Sequence, residues 1–484
     1  MTFQLVDINA AQSLPPKTSV VLGVVLLDKQ ANYFASDGTQ SANGQGIPTD
    51  LLGGRVWICD LEYKAALDWT SSLAGKQVRA TNWMRAPLRA IMDEWAFTAE
   101  TPDNARFMAQ LINRVFSLGN EIVVTHLDPK SRDWTINIGS QPSFATALSE
   151  ALGPEGRIEI PANLAEANRN GQKLGAVLFG KRGGSSETLW RFQSPRLSHA
   201  LDVVSTPVPV GDWKMIQLGN MDTATFRANL AAAGKPALLR VDANPLLARD
   251  RLPATLRTWF TSANEGARFW LTGEELMALG DIEGLVIQAA YLAQSATPKN
   301  NFQSALTALR TLNGQAVVAQ NLSLPALSWS AGMLAENILA AAMRKRKDRE
   351  DFAPTFFAAQ DRILTERRAR LLSESGVSVV SYYLGGIVAQ VGRDKESLLV
   401  AADAAWRAGL FLPGDFVQLA RSLGVSLAGR PADWGGKPED LLQARLIAAG
   451  QTAARWEFDK VLDLAPGIRN AAFIEILKKL MGKR

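Results

Sequence analysis

One cysteine and two histidines in 484 residues limit how this chain can hold itself together. Cys59 alone closes no internal disulfide. Cys59, His126 and His199 supply too few ligands for a zinc ribbon or a three-histidine metal site. Stability must therefore come from a packed apolar core. With 47% hydrophobic and 20% charged residues, the chain has the material for one and no signature of disorder. Its length fits two or three domains.

The opening segment carries Asp7 where a secretory signal would be basic, and no long apolar stretch follows. The longest apolar runs, Val20–Leu27 and Leu174–Phe179, fall well short of the roughly 18 residues that span a bilayer. The expectation is a soluble, cytoplasmic protein with no membrane partner.

The first part of the chain mixes strand and helix signals. Ser19–Leu27 and Arg55–Tyr63 read as strands, with a polar loop over Ser36–Gly54 between them. Residues 85–97 and 103–118 have helical spacing, the second stretch bounded by Pro102 and Gly119. Asn120–Gly139 and Lys173–Gln193 read as β-hairpins, the latter turning at Gly183 and Gly184. Pro236–Ala243 and Ala267–Gly273 are further strands, and Asp222–Ala233 and Ala254–Ser262 further helices. Beyond Gly273 helical blocks dominate, including Gly332–Lys347 and Asp361–Leu372. Ser378–Val391 fits either a strand or a buried helix. The C-terminal stretch Asn470–Leu480 has an apolar stripe at helical spacing. The expected class is α+β: a mixed α/β half with β-hairpins over 1–290, with a possible break near 150–170, then a mainly helical half over 291–484.

The most enzyme-like string follows Cys59. On a strand, Asp60, Glu62 and Lys64 share one face. Two carboxylates and a lysine there can hold a hard divalent cation and orient water. The spacing resembles the strand motif of metal-dependent nucleases and the first Asp-x-Glu of two-metal exonucleases. Asp128 beside His126, and Asp202 beside His199, would add further acids and a base. A half-exposed strand has the same alternation without any chemistry. Lys181 and Arg182, in a glycine- and serine-rich turn, could meet a phosphate, although the order of residues in a Walker loop is missing.

Charge is unevenly spread. Residues 344–370 hold nine cations (Arg344, Lys345, Arg346, Lys347, Arg349, Arg362, Arg367, Arg368 and Arg370) against five carboxylates, a local net of +4 in a chain of net +5. Arg362, Glu366 and Arg370 stand at i, i+4 spacing and can pair along one helix, which leaves Arg367 and Arg368 over. A basic cluster of this kind is the footprint of a polyanion.

The leading reading is a non-catalytic assembly subunit without metal or cofactor. It would bind nucleic acid, or another polyanion, through this basic helical surface and through Lys181 and Arg182, and would join protein partners or self-assemble. The alternative is a nuclease using Asp60, Glu62 and Lys64 with Mg²⁺. A second alternative is a purely structural subunit of a particle or filament.

Overall fold

The computed structural model describes residues 22–28, 30, 32–45, 56–59, 79–81, 101–126, 152, 164, 187–218, 222–243, 267–279, 285–297, 300–315, 324–344, 352–413, 416, 419–420 and 422–425. Over these residues the protein is an α+β structure of three sheets and intervening helices. Most elements read from the sequence within 187–413 fall in this set; the expected helices over 85–97, 254–262 and 470–480 lie outside it.

The first sheet has the order β3–β2–β1–β4–β5, from β1 (Leu22–Leu27), β2 (Asn32–Ser36), β3 (Ser41–Gln45), β4 (Val56–Cys59) and β5 (Arg79–Thr81). β1, β2 and β3 are antiparallel, whereas β1, β4 and β5 run parallel. Part of the expected loop over Ser36–Gly54 is therefore a hairpin. Its turn is Asp37–Gln40, with Gly38 at φ 91°, where a side chain would be strained. The Asp37 carboxylate accepts from the N–H groups of Thr39 and Gln40 and closes the turn.

Helix α1 (Pro102–His126) packs across β1, β2 and β3. It passes straight through Gly119, so the expected hairpin arm at Asn120–His126 is helical. Leu111, Val115, Leu118 and Ile122 extend one buried face across the glycine. Glycine inside a helix costs about 1 kcal/mol. Burying Ile122 returns about 1.5–3 kcal/mol, and burial wins.

The second sheet, β7–β10–β8–β9, is antiparallel throughout: β7 (Val208–Ile216), β8 (Ala237–Ala243), β9 (Ala267–Thr272) and β10 (Leu285–Thr297). Position 290, where the sequence suggests a domain boundary, falls inside β10. Ala290 there pairs with Ile216 on one side and Leu239 on the other. Helices α3 (Thr223–Ala233) and α4 (Gly273–Leu279) accompany this sheet, and Phe226, Leu230, Leu239, Val241, Leu271 and Leu276 form its core.

The third sheet joins distant parts of the chain. β6 (Glu187–Gln193) pairs with β12 (Gly386–Gly392), which pairs with β11 (Ser378–Tyr383). Ser378–Val391 is thus a hairpin. Its loop residues Leu384 and Gly385 both have positive φ, 49° and 72°, as a two-residue turn between twisted strands requires. The second arm of the hairpin expected over Lys173–Gln193 is β6, which pairs with β12; the first arm lies outside the described residues. Trp190 and Phe192 of β6 both pack edge-on against Phe416, beneath α8 (Lys395–Arg407).

The largest core mixes both halves of the chain. Val24 and Leu26 of β1 share it with α1, with Leu197, Ala200 and Val203 of α2 (Arg196–Val204), and with Phe302 and Leu306 of α5 (Asn301–Gln315). Leu334 and Ile338 of α6 (Leu324–Ala342) and Phe357 of α7 (Ala353–Glu374) complete it. The helix expected over Gly332–Lys347 is the second part of α6 and ends at Ala342. Among the described residues no helix is long and apolar enough to cross a membrane.

Candidate functional site around helix α7

Helix α7 touches all three regions. Phe357 enters the largest core, Ala369 and Leu372 enter the core of the third sheet, and Phe356 meets Trp270 of the second. Its polar residues Asp361, Arg362 and Thr365 are buried as well, so each needs a partner.

Asp361 finds His199 of α2. The imidazole Nε2 lies 2.7 Å from Asp361 Oδ1, and the ring is 1% exposed. On the other side His199 Nδ1 lies 3.1 Å from a guanidinium nitrogen of Arg368, which also donates to Ser194 Oγ at 2.6 Å. A guanidinium can only donate, so Nδ1 accepts and Nε2 carries the proton given to Asp361. The second Asp361 oxygen accepts from the Leu384 N–H at 3.3 Å, holding the β11–β12 turn. Gly385 lies so close to the imidazole that an added Cβ would sit 2.7 Å from His199 Cδ2. Both ring nitrogens and both carboxylate oxygens are thus engaged inside the protein. The cluster fastens β6, α2 and the hairpin to α7.

Three neighbouring ion pairs work the same way. Glu336 of α6 binds Arg191 at 3.2 Å and Arg196 at 2.7 Å. Burial pushes the Glu336 carboxyl up, but the two arginine charges and their hydrogen bonds together outweigh it and hold it below its ordinary value. Arg362 clasps Glu275 Oε1 through two nitrogens, at 2.8 and 2.7 Å. Glu275 also closes the N-terminus of α4. Its Oε2 accepts from the Thr272 N–H, while Thr272 Oγ1 accepts from the Glu275 N–H. This reciprocal capping box is visible in the sequence as Thr-Gly-Glu-Glu.

The arginines expected to form one basic face therefore divide. Arg368, expected to be left over, is bound to Ser194 and His199 because its position on α7 faces the end of β6. Arg362 pairs with Glu275 of α4. The expected i, i+4 pair forms between Arg370 and Glu366, at 3.5 Å. Arg367 is exposed and makes no ion pair or hydrogen bond among the described residues. Arg344 is exposed just beyond α6. Lys345, Arg346, Lys347, Arg349, Lys181 and Arg182 lie outside the described residues, as do Asp60, Glu62, Lys64 and Asp128. His126 is the last residue of α1. The aspartate that meets His199 is Asp361, 162 residues away, and not the nearby Asp202. Among the described residues no group of three or more His, Cys, Asp or Glu could hold a metal ion.

Arg367 looks into an open groove of about 600 Å³ between α3, α4 and α7. Leu230, Met277, Ala278, Ile363 and Leu364 give it an apolar floor, and Lys235 and Glu274 stand at its edges. Burial pushes the Glu274 carboxyl above its ordinary range, with Glu275 adding to the effect and a Thr272 hydrogen bond opposing it.

No family model matches the chain, and no curated protein does. Among solved structures it is similar to phi29 DNA polymerase. With that enzyme's complex with primer-template DNA and incoming nucleotides, the TM-score is 0.38 at 8% identity, over 76% of this chain and 80% of that one. With the orthorhombic crystal form it is 0.41 at 9% identity, over the same shares. With the complex with single-stranded DNA it is 0.40 at 10% identity, over 76% and 79%. No residue role transfers at such identity.

Proposed function

We propose that this protein is a non-catalytic, nucleic-acid-binding subunit whose main contact is the basic run after α6. The observation that carries the reading is where the run begins. Helix α6 buries its apolar residues up to Ala342, and the chain reaches solvent at Arg344. Five of the six residues from Arg344 to Arg349 are cationic. A run of this density next to a helix C-terminus gains from the dipole there and offers several phosphate contacts at once. Arg370, 55% exposed, adds to the basic character of α7. What favours binding over catalysis at the His199 cluster is its burial: the ring is 1% exposed and both of its nitrogens are bonded within the protein. Protein partners and a cytoplasmic setting belong to the same reading.

A salt series with labelled DNA and RNA tests it. Each phosphate neutralised contributes a slope of about −0.9 on duplex or −0.7 on single strands, so four contacts give a slope of roughly −3. Replacing Arg344, Lys345, Arg346 and Lys347 by glutamate should abolish binding at moderate salt while the melting temperature holds. Equal affinity in the variant rejects the reading.

A second reading, a Mg²⁺-dependent nuclease using Asp60, Glu62 and Lys64, draws on one observation. β4 ends at Cys59, one residue before Asp60, and runs parallel to β1 and β5. Ligand sites of sheets with parallel strands gather beyond the carboxyl ends of those strands. Cleavage that needs Mg²⁺ and disappears in Asp60→Ala/Glu62→Ala would replace the first reading with this one.

A further inference from the structure

The groove between α3, α4 and α7 has a chemistry that the nucleic-acid reading does not use. Its floor is aliphatic. Leu230 is nearly buried and Ile363 and Leu364 half-buried, whereas Met277 is 38% exposed, high for a large apolar side chain. Among the described residues no aromatic ring lines it, so these offer no platform on which a base could stack.

The charges at its edge are one-sided. Arg367 has no ion-pair or hydrogen-bond partner among the described residues. Lys235 donates only to a backbone carbonyl, that of Gln294, at 2.8 Å, which leaves its charge uncompensated. Among the described residues Glu274 is the one carboxylate lining the groove, and its Oε2 is buried with no hydrogen-bond partner there. Burial raises the affinity of that carboxyl for a proton, which weakens its opposition to the two cations. Next to the groove, by contrast, Glu275 and Glu366 are matched to Arg362 and Arg370.

The walls are fixed by the packing already described. The Glu275–Arg362 pair ties α4 to α7. Gly273 lets α4 approach α3, since a Cβ there would sit 3.1 Å from Leu230 Cδ2. At Gly234, the C-cap of α3, none of the described residues lies within 4 Å of an added Cβ.

We propose that this groove docks an acidic amphipathic helix of a partner protein, with aliphatic side chains on the Leu230–Ile363–Met277 floor and carboxylates on Arg367 and Lys235. An amphipathic helix lying in an apolar groove is a recurrent recognition mode, and here charge complementarity selects an acidic one. The site is separate from the Arg344–Arg349 run and does not depend on it.

The test is fluorescence anisotropy on the full chain with two labelled peptides of about sixteen residues. One carries leucines at i, i+3, i+4 and i+7 with glutamates elsewhere. The other has serine for each leucine at the same charge. The leucine peptide should bind saturably, and the serine peptide at least about tenfold more weakly. Met277→Asp and Arg367→Glu should each weaken the leucine peptide by about tenfold, with unchanged melting because both side chains are exposed. The glutamate variant at Arg344, Lys345, Arg346 and Lys347 should bind it like wild type, which separates this proposal from the nucleic-acid reading. Absence of saturable binding, equal binding of the two peptides, binding untouched by Met277→Asp, or loss in the Arg344–Lys347 variant would each overturn it.

Discussion

Two pairs of arginines on one helix have opposite fates. Arg362 and Arg368 are drawn into the interior of the molecule, one onto Glu275 and the other onto Ser194 and His199. Arg367 and Arg370, one turn away or less, stay at the surface. Nothing in their chemistry differs. The difference is what stands opposite each position: α4 and the end of β6 for the first pair, open groove and solvent for the second. Charge on a helix is therefore structural or available for partners according to its neighbours, and a local count of cations cannot tell the two apart.

Substitution along α7 should reproduce that split. Arg362→Ala leaves Glu275 buried without its cation and should cost about 3–5 kcal/mol, as a loss of one partner from a buried pair does. Urea unfolding measures it, and a cost below about 1 kcal/mol would put Arg362 with the surface arginines. Arg368→Ala should cost about 1–3 kcal/mol, because Ser194 Oγ and His199 Nδ1 lose a charged donor in a buried setting. Loss of protection from hydrogen exchange at Leu384, whose N–H is bonded to Asp361, would localise the damage to the hairpin.

Acid should act on the interior and spare the surface. The Glu336 carboxyl is held below its usual value of 4.5, so its contribution is complete above that pH and fades as pH falls through the lowered folded value. The stability difference between wild type and Glu336→Gln should accordingly be large at neutral pH and shrink in strong acid. A difference that is flat with pH would mean that the two arginines do not hold this carboxylate. The smallest effect belongs to Arg367→Ala, expected within about 0.5 kcal/mol of wild type. A larger loss would show Arg367 to be a structural residue and would sharpen the division further back along α7.

Much of the local structure was legible in the sequence. The strands at Pro236–Ala243 and Ala267–Gly273 appear as β8 and β9, and Asp222 caps α3 through a bond from the Thr225 N–H. These features depend on alternation, caps and turn residues within a few positions of one another. The stop expected at Gly119 failed because it weighed one glycine and could not weigh Ile122 being buried beyond it. The candidate site was scarcely legible. His199 stood out as one of two histidines, but its partner Asp361 is 162 residues away, and no sequence pattern links them.

What the sequence determined by itself is the α+β class, the dependence on an apolar core, and the concentration of cations between 344 and 370. Period, caps and composition are properties of neighbours along the chain, so the chain alone carries them. Tertiary structure decided that β6 pairs with β12, that position 290 lies within a strand, and that Arg362 and Arg368 are internal while Arg367 faces a groove. A long-range pairing or a buried charge depends on which surfaces meet, and the free energy of each is set by desolvation and by the partner at the far side of the contact.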